Sequence, residues 1–106
     1  MVRYNNLGGK MSISHKIVQI NGSTSTLLTD ESNENDIYLR KLNISIQNLD
    51  DTGYVFIGDS FVSNSSFGVR LDPAEVFSID LSPADELYAI TDSGTFDVAI
   101  LKVYGV

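Results

Sequence analysis

The stretch of sequence that decides the fold is residues 69–104, which read VRLDPAEVFSIDLSPADELYAITDSGTFDVAILKVY. Its apolar segments are separated by turn-forming groups at Asp72-Pro73, Ser82-Pro83 and Asp92-Ser93-Gly94. Apolar and polar residues alternate within the segments, which is the period of a half-buried β-strand. Ser82-Pro83 before acidic residues is also a helix start, but the segment that follows is short for a helix. We therefore predict strands at residues 69–71, 77–81, 87–90 and 96–104.

The rest of the chain continues this pattern, with frequent strand signals and few helix signals. Strands are predicted at residues 11–17, near 27–28, within 37–46 and at 54–57. The apolar parity changes between Leu39 and Leu42, which predicts a β-bulge or a strand crossing there. Gly53 closes a turn and is predicted to supply a positive φ. Short strands with a turn signal roughly every 8–12 residues are typical of a β-sandwich, a jelly roll or a small barrel.

Charge is divided unequally along the chain, which has 106 residues and a formal net charge of −7. Arg3, Lys10 and Lys16 precede every acidic residue, and all 14 acidic residues follow them. An acidic body repels phosphate backbones, so we expect no nucleic-acid partner. The basic segment at residues 1–10 is either a solvated terminus or an arm that docks on an acidic neighbour, such as another copy. No apolar run reaches the length of a membrane span or a signal peptide, so we expect no membrane partner.

Residues able to carry catalysis or to bind a cofactor are few. The chain has no cysteine and one histidine, His15, so we expect neither a cofactor nor a transition-metal site. Gly58-Asp59-Ser60 is the triplet that opens one class of serine esterases, but those enzymes need a downstream histidine. We interpret the triplet as a turn and predict no enzymatic activity. The oxygen-rich segment Asp30–Asp36 could bind calcium but lacks the EF-hand spacing, so a solvated loop is favoured.

Two predicted strands, at residues 54–57 and 98–104, are apolar on both of their faces. One small sandwich has too little interior to bury both faces of two strands, so we expect another subunit to cover one face. His15 shares the parity of Ile13 and Ile17, which places it on the apolar face of the first strand. The expected interface residues, with those of the N-terminal arm, are Arg3, Tyr4, Lys10, Tyr54, Phe56, Phe61, Phe67, Leu101, Val103 and Tyr104.

Residues 54–95 resemble small β-sandwich proteins of tailed bacteriophages. The resemblance is carried by Tyr54-x-Phe-Ile-Gly-Asp-Ser60, Gly68-Val-x-Leu-Asp-Pro73-x-Glu75, Ile79-Asp-Leu81, Glu86-Leu-Tyr-Ala-Ile90 and Gly94-Thr95. In that group a Y-I-G strand, a serine-rich loop, an L-x-P-G-E corner and an L-Y-A-I strand recur. Such modules serve as head decoration, or cement, proteins and also occur in fibre and tail parts. Ala74 stands where the pattern has glycine, which favours a type I turn over a type II turn at this corner.

The resemblance implies a virion structural protein with a jelly-roll-like β-sandwich of about eight short antiparallel strands at residues 11–106. It implies a flexible N-terminal arm at residues 1–10 that grips the capsid or a neighbouring copy. The protein would be a homotrimer that binds the major capsid protein on the outer head surface and stabilises it. It would be made in the cytoplasm of the bacterial host and end in the virion. The alternative is a trimeric tail-fibre or collar module that contributes to host-surface binding through the loop at residues 60–67.

Overall fold

The computed structural model describes residues 12–29, 41–82 and 84–104, and these ranges contain strands and turns without a helix. The predicted strand near residues 87–90 is confirmed as a strand rather than a helix. The N-terminal arm, the segment Asp30–Asp36 and the parity change after Leu39 lie outside the described residues. The strands are β1 (Ser12–Ile20), β2 (Thr26–Leu27), β3 (Leu42–Asn48), β4 (Val55–Gly58), β5 (Val69–Leu71), β6 (Val76–Leu81), β7 (Tyr88–Thr91) and β8 (Phe96–Tyr104).

The eight strands form two four-stranded antiparallel sheets that face each other as a β-sandwich. The first sheet has the order β1-β8-β3-β6, and the second has the order β2-β7-β4-β5. Consecutive strands therefore tend to lie in different sheets, which is the arrangement of a jelly roll. This confirms the predicted all-β fold class.

The core lies between the sheets and is built from alternate residues of the long strands. In β3 and β8 every second residue is buried, and these rows include Ile44, Ile46, Val98 and Ile100. Each fully buried aliphatic side chain contributes roughly 1.5–3 kcal/mol relative to its exposed state. Tyr104 belongs to the same inward row and is buried in the core. Its predicted place at a subunit interface is therefore wrong, because the alternation of β8 turns its ring inward.

The corner between β5 and β6 is a type II turn. The Glu75 N–H donates to the Asp72 carbonyl oxygen at 3.0 Å, and the Asp72 N–H donates back to Glu75 Oε1 at 2.8 Å. Ala74 occupies the third position of this turn with a φ of +68°. A positive φ at that position defines type II. The expected type I turn is therefore wrong, and an alanine adopts the conformation that glycine normally supplies.

The corner before β7 repeats these bonds. The Asp85 N–H donates to the Ser82 carbonyl oxygen at 3.1 Å, and the Ser82 N–H donates to Asp85 Oδ2 at 3.0 Å. Ala84 has a φ of +70°. The twofold occurrence of Leu-x-Pro-Ala followed by an acidic residue thus encodes two similar corners, with the acidic side chain closing each one.

Gly53 has a different role from the predicted one. Among the described glycines only Gly94 has a positive φ, so Gly53 is not required for its backbone conformation. A Cβ atom at Gly53 would instead overlap the ring of Phe96. The glycine is therefore needed for close packing between the turn and the start of β8.

Buried Asn48 holds this end of the sandwich together. Its Nδ2 donates to the carbonyl oxygens of Gly53 and Leu71, at 3.0 and 3.2 Å, and its Oδ1 accepts the Asp50 N–H at 2.9 Å. The backbone N–H groups of Thr52 and Gly53 donate to the Asp50 carboxylate, and these bonds hold the pKa of that carboxyl below its ordinary value. Side-chain bonds thus order the whole turn after β3.

Candidate functional site

The outward face of β4 is covered by the chain's own loop. Phe56 points away from the core between the sheets but is only 5% exposed. Residues 59–68, which we name the Phe61 loop, fold over it: Val62 is buried against Phe56 and Ile90, and the Phe67 ring lies 4.7 Å from that of Phe56. The argument that a second subunit must cover this face is therefore wrong for β4, because the loop supplies the cover.

Internal hydrogen bonds hold the Phe61 loop in one conformation. The Phe61 N–H donates to Asp59 Oδ1 at 2.9 Å, and the Val62 N–H donates to the Asp59 carbonyl oxygen at 3.0 Å. Ser63 and Ser66 exchange two backbone bonds of 2.8 and 3.2 Å. Phe61 itself is 86% exposed. An ordered loop therefore presents an apolar ring to solvent.

Tyr54 and Arg70 form a second aromatic feature on the second sheet. The Arg70 guanidinium lies 4.5 Å from the centre of the Tyr54 ring, and its Nε is 3.2 Å from Asp72 Oδ1. A cation over a ring face is a stabilising contact within the chain. Tyr54 thus packs under an arginine of its own sheet, and one face of its ring is already in use.

The remaining residues that could take part in catalysis or metal binding are not brought together by the fold. Ser60 follows β4 in the second sheet, whereas His15 lies on the outward face of β1 in the first, so the two do not form a nucleophile–base pair. No group of three or more His, Cys, Asp or Glu residues in the described ranges is placed to hold a metal ion. No helix in the part of the chain that the structure describes has the length and apolarity to cross a membrane.

The outward face of the first sheet, which we name the outer face, is apolar along β1 and β8. Ile13 and Ile17 are 68% and 59% exposed, and they pair across the ladder with Val103 and Ala99. His15 lies between them and pairs with Leu101, which is 43% exposed. The prediction that His15 shares a face with Ile13 and Ile17 is confirmed, and that face points to solvent.

The other half of the outer face is polar but almost without charge. Cross-strand partners on β3 and β6 bond to each other: Asn43 Nδ2 donates to Asp80 Oδ1 at 2.7 Å, and the hydroxyls of Ser45 and Ser78 are 2.6 Å apart. The carboxylate groups of this face lie toward its ends, at Asp80 in β6 and at Asp97 near the start of β8. The middle of the face is thus free of net charge.

A shallow groove of about 220 Å³ crosses this middle region. It arises because the short side chain of Ala99 lies among longer neighbours. The residues that line it are His15, Ser45, Gln47, Val76, Ala99, Ile100 and Leu101.

The predicted interface residues therefore divide into several groups. Leu101 lies on the outer face with Val103, and Phe61 and Phe67 are exposed on the Phe61 loop. Phe56 and Tyr104 are covered by their own chain, and Arg3, Tyr4 and Lys10 lie outside the described residues. The sequence interpretation missed the exposure of Ile13, Ile17 and Val76, because a period of two separates the faces of a strand without telling which one is buried.

No family model matches the chain, and no curated protein matches it. The fold is similar to a solved structure from Bacillus endospore appendages, described as a novel family of disulfide-linked pili, with a TM-score of 0.48. The two chains are 12% identical, and the alignment covers 98% of this chain and 97% of that chain. At this level of similarity the comparison supports no argument about function.

Proposed function

We propose that this protein is a virion structural subunit that associates with copies of itself, in the manner of a capsid decoration protein of a tailed bacteriophage. The observation that supports self-association is the outer face, where Ile13, Ile17 and Leu101 are exposed together. Contiguous exposed apolar surface is uncommon on monomeric soluble proteins and typically marks an interaction site. The resemblance of residues 54–95 to phage β-sandwich proteins supports the virion setting.

The distribution of charge supports the same surface. Acidic residues outnumber basic ones by two to one in the chain, yet the middle of the outer face carries no carboxylate. Depletion of charged residues at the centre is a feature of protein–protein interfaces. The hydroxyls of Ser45 and Ser78 already bond to each other, so this hydrogen bond is kept when the face is covered.

The area of the outer face is sufficient for a specific contact. Four strands about 4.8 Å apart, the longest with a rise of about 3.4 Å per residue, give a face of roughly 450 Å² in projection. Two copies that meet on such a surface remove roughly 1,000 Å² from water, which is the lower range for a biological interface. One contact of this size is modest, and repeated attachment of an oligomer to a lattice adds avidity.

In the proposed arrangement a homotrimer binds the major capsid protein on the outer head surface. The basic residues Arg3 and Lys10 supply positive charge for an acidic neighbour, either the capsid or the body of another copy. We propose no catalytic role and no cofactor for the protein.

Charge placed on the outer face tests the proposal. We expect the wild-type protein to sediment as an oligomer at micromolar concentration, and Ile17→Lys or Leu101→Lys to convert it to a monomer, because a buried unpaired ammonium is strongly unfavourable. Leu49→Lys is the matched control, since Leu49 is 42% exposed but lies in the turn after β3. A wild-type monomer at micromolar concentration would overturn the proposal.

The alternative proposal is a tail-fibre or collar module that contributes to host-surface binding. One observation favours it: the serine- and asparagine-rich part of the Phe61 loop is exposed around a protruding phenylalanine. The copy number in purified virions separates the two. A number that matches the capsid lattice supports decoration of the head, and a small number supports a tail part.

A further inference from the structure

The Phe61 ring is 86% exposed, whereas the next residue, Val62, is buried against the second sheet. Val62 and Phe67, which follow Phe61 in the loop, contact the second sheet, and the Phe61 N–H donates to Asp59 Oδ1. Its exposure is therefore a property of an ordered conformation. Exposed aromatic rings on ordered loops are typical of the residues that contribute most to binding, when a pocket on the partner receives them.

The outer-face groove lies on the opposite side of the sandwich from this ring. The Phe61 loop packs on the outward side of the second sheet, and the groove lies on the outward side of the first. No single copy can therefore fill its own groove with its own Phe61. A second copy can, and the groove offers apolar walls at Val76, Ala99 and Leu101.

Charge disfavours one of the two symmetric contacts between copies, and the exposed Phe61 ring disfavours the other. The Asp59 carboxylate lies beside Phe61, whereas the middle of the outer face, where the groove lies, carries no carboxylate that would repel it. A contact between two Phe61 loops would bring two Asp59 carboxylates together, which is unfavourable. A contact between two grooves would leave both Phe61 rings in water.

We propose that Phe61 of one copy inserts into the outer-face groove of the next copy, so that the self-association is heterologous. This inference rests on the proposed function, since it names the surfaces through which the copies meet. Each copy then donates one ring and receives one ring. Repeated from copy to copy, such a contact closes into a cyclic oligomer, as the proposed trimer requires, or continues as an open filament of copies.

A mixing experiment with two variants tests this arrangement. Phe61→Ser removes the inserted ring, and Leu101→Arg fills and charges the groove. Both residues are exposed, so we expect both variants to keep the thermal unfolding midpoint of the dissociated wild-type protein. Each variant alone should sediment as a monomer, because each lacks one of the two contact surfaces.

Mixed at equal concentration, the two variants should form a dimer of twice the monomer mass and nothing larger. The intact groove of the Phe61→Ser copy receives the intact Phe61 of the other copy, and the chain stops there. The control is each variant mixed with a labelled sample of itself, which should stay monomeric.

The possible failures are distinct. A Phe61→Ser variant that still forms the wild-type oligomer overturns the heterologous contact and leaves the proposed self-association standing. Two monomeric variants that do not pair on mixing also overturn it, because one intact Phe61 and one intact groove would then be insufficient for the contact. A monomeric wild-type protein overturns the proposed function itself.

Discussion

At the scale of single residues, two alanines hold a backbone conformation that residues with a side chain rarely adopt. Ala74 and Ala84 have φ values of +68° and +70°. The left-handed conformation costs an L-residue roughly 1–2 kcal/mol, because Cβ approaches the following carbonyl oxygen. The corners persist because Glu75 and Asp85 close them with side-chain bonds. Each corner therefore contains local strain that glycine would remove.

We expect Ala74→Gly to stabilise the protein by about 0.5–1 kcal/mol. The strain energy that glycine relieves in the turn exceeds the extra conformational entropy that glycine loses on folding. Urea unfolding of the variant measures the gain, and Ala84→Gly should give a similar one. The matched control is Ala89→Gly in β7, which removes a buried methyl group at an ordinary φ and should destabilise. A loss of stability in Ala74→Gly would contradict the type II turn.

Predictions from the sequence also fail most often at the scale of single residues. The alanine in the corner predicts a type I turn by propensity, but Ala74 has a positive φ in a turn that the Asp72 N–H closes by donating to the Glu75 carboxylate. Gly53 predicts a positive φ, but its role is to leave room for the ring of Phe96, which is 43 residues away in the chain. Local preference cannot reveal such contacts, because they depend on the folded neighbours.

At the scale of elements, alternation locates the strands well and their buried faces poorly. β5 and β6 begin and end within a residue of their predicted bounds, because a proline corner follows each of them. β1 has the expected period, but Ile13 and Ile17 point to solvent, and β1 lies at the edge of its sheet. β4 is apolar on both faces because a loop, and not a subunit, covers the second one.

The Phe61 loop separates a structural residue from its exposed neighbour. We expect Val62→Ala to cost about 1–2 kcal/mol, because it leaves a cavity over Phe56 and Ile90. Phe61→Ser should change stability by less than about 0.5 kcal/mol in the dissociated protein. Urea unfolding at low protein concentration measures both. Equal losses would contradict the assignment of Val62 as the anchor and Phe61 as the presented residue.

At the scale of the whole molecule, the two outward faces of the sandwich differ in whether their apolar side chains are covered or exposed. On the second sheet, Val62 of the Phe61 loop packs over Phe56 and Ile90, while Phe61 and Phe67 of that loop stay exposed. The first sheet leaves Ile13, Ile17 and Leu101 open beside a row of bonded polar side chains. The outward side of the second sheet is thus largely covered by the chain's own loop, whereas the outward side of the first sheet has the composition of an interface. The position of the exposed face follows from strand order, which alternation alone does not determine.

The most direct test is the accessibility of the outer face as copies associate. The chain has no cysteine, so Ile17→Cys introduces a single thiol on the apolar part of this face, and Leu49→Cys introduces one outside it. We expect the rate of thiol labelling at position 17 to fall as protein concentration rises through the micromolar range, while the rate at position 49 stays constant. Equal and concentration-independent rates at both positions would contradict the claim that another copy covers the outer face.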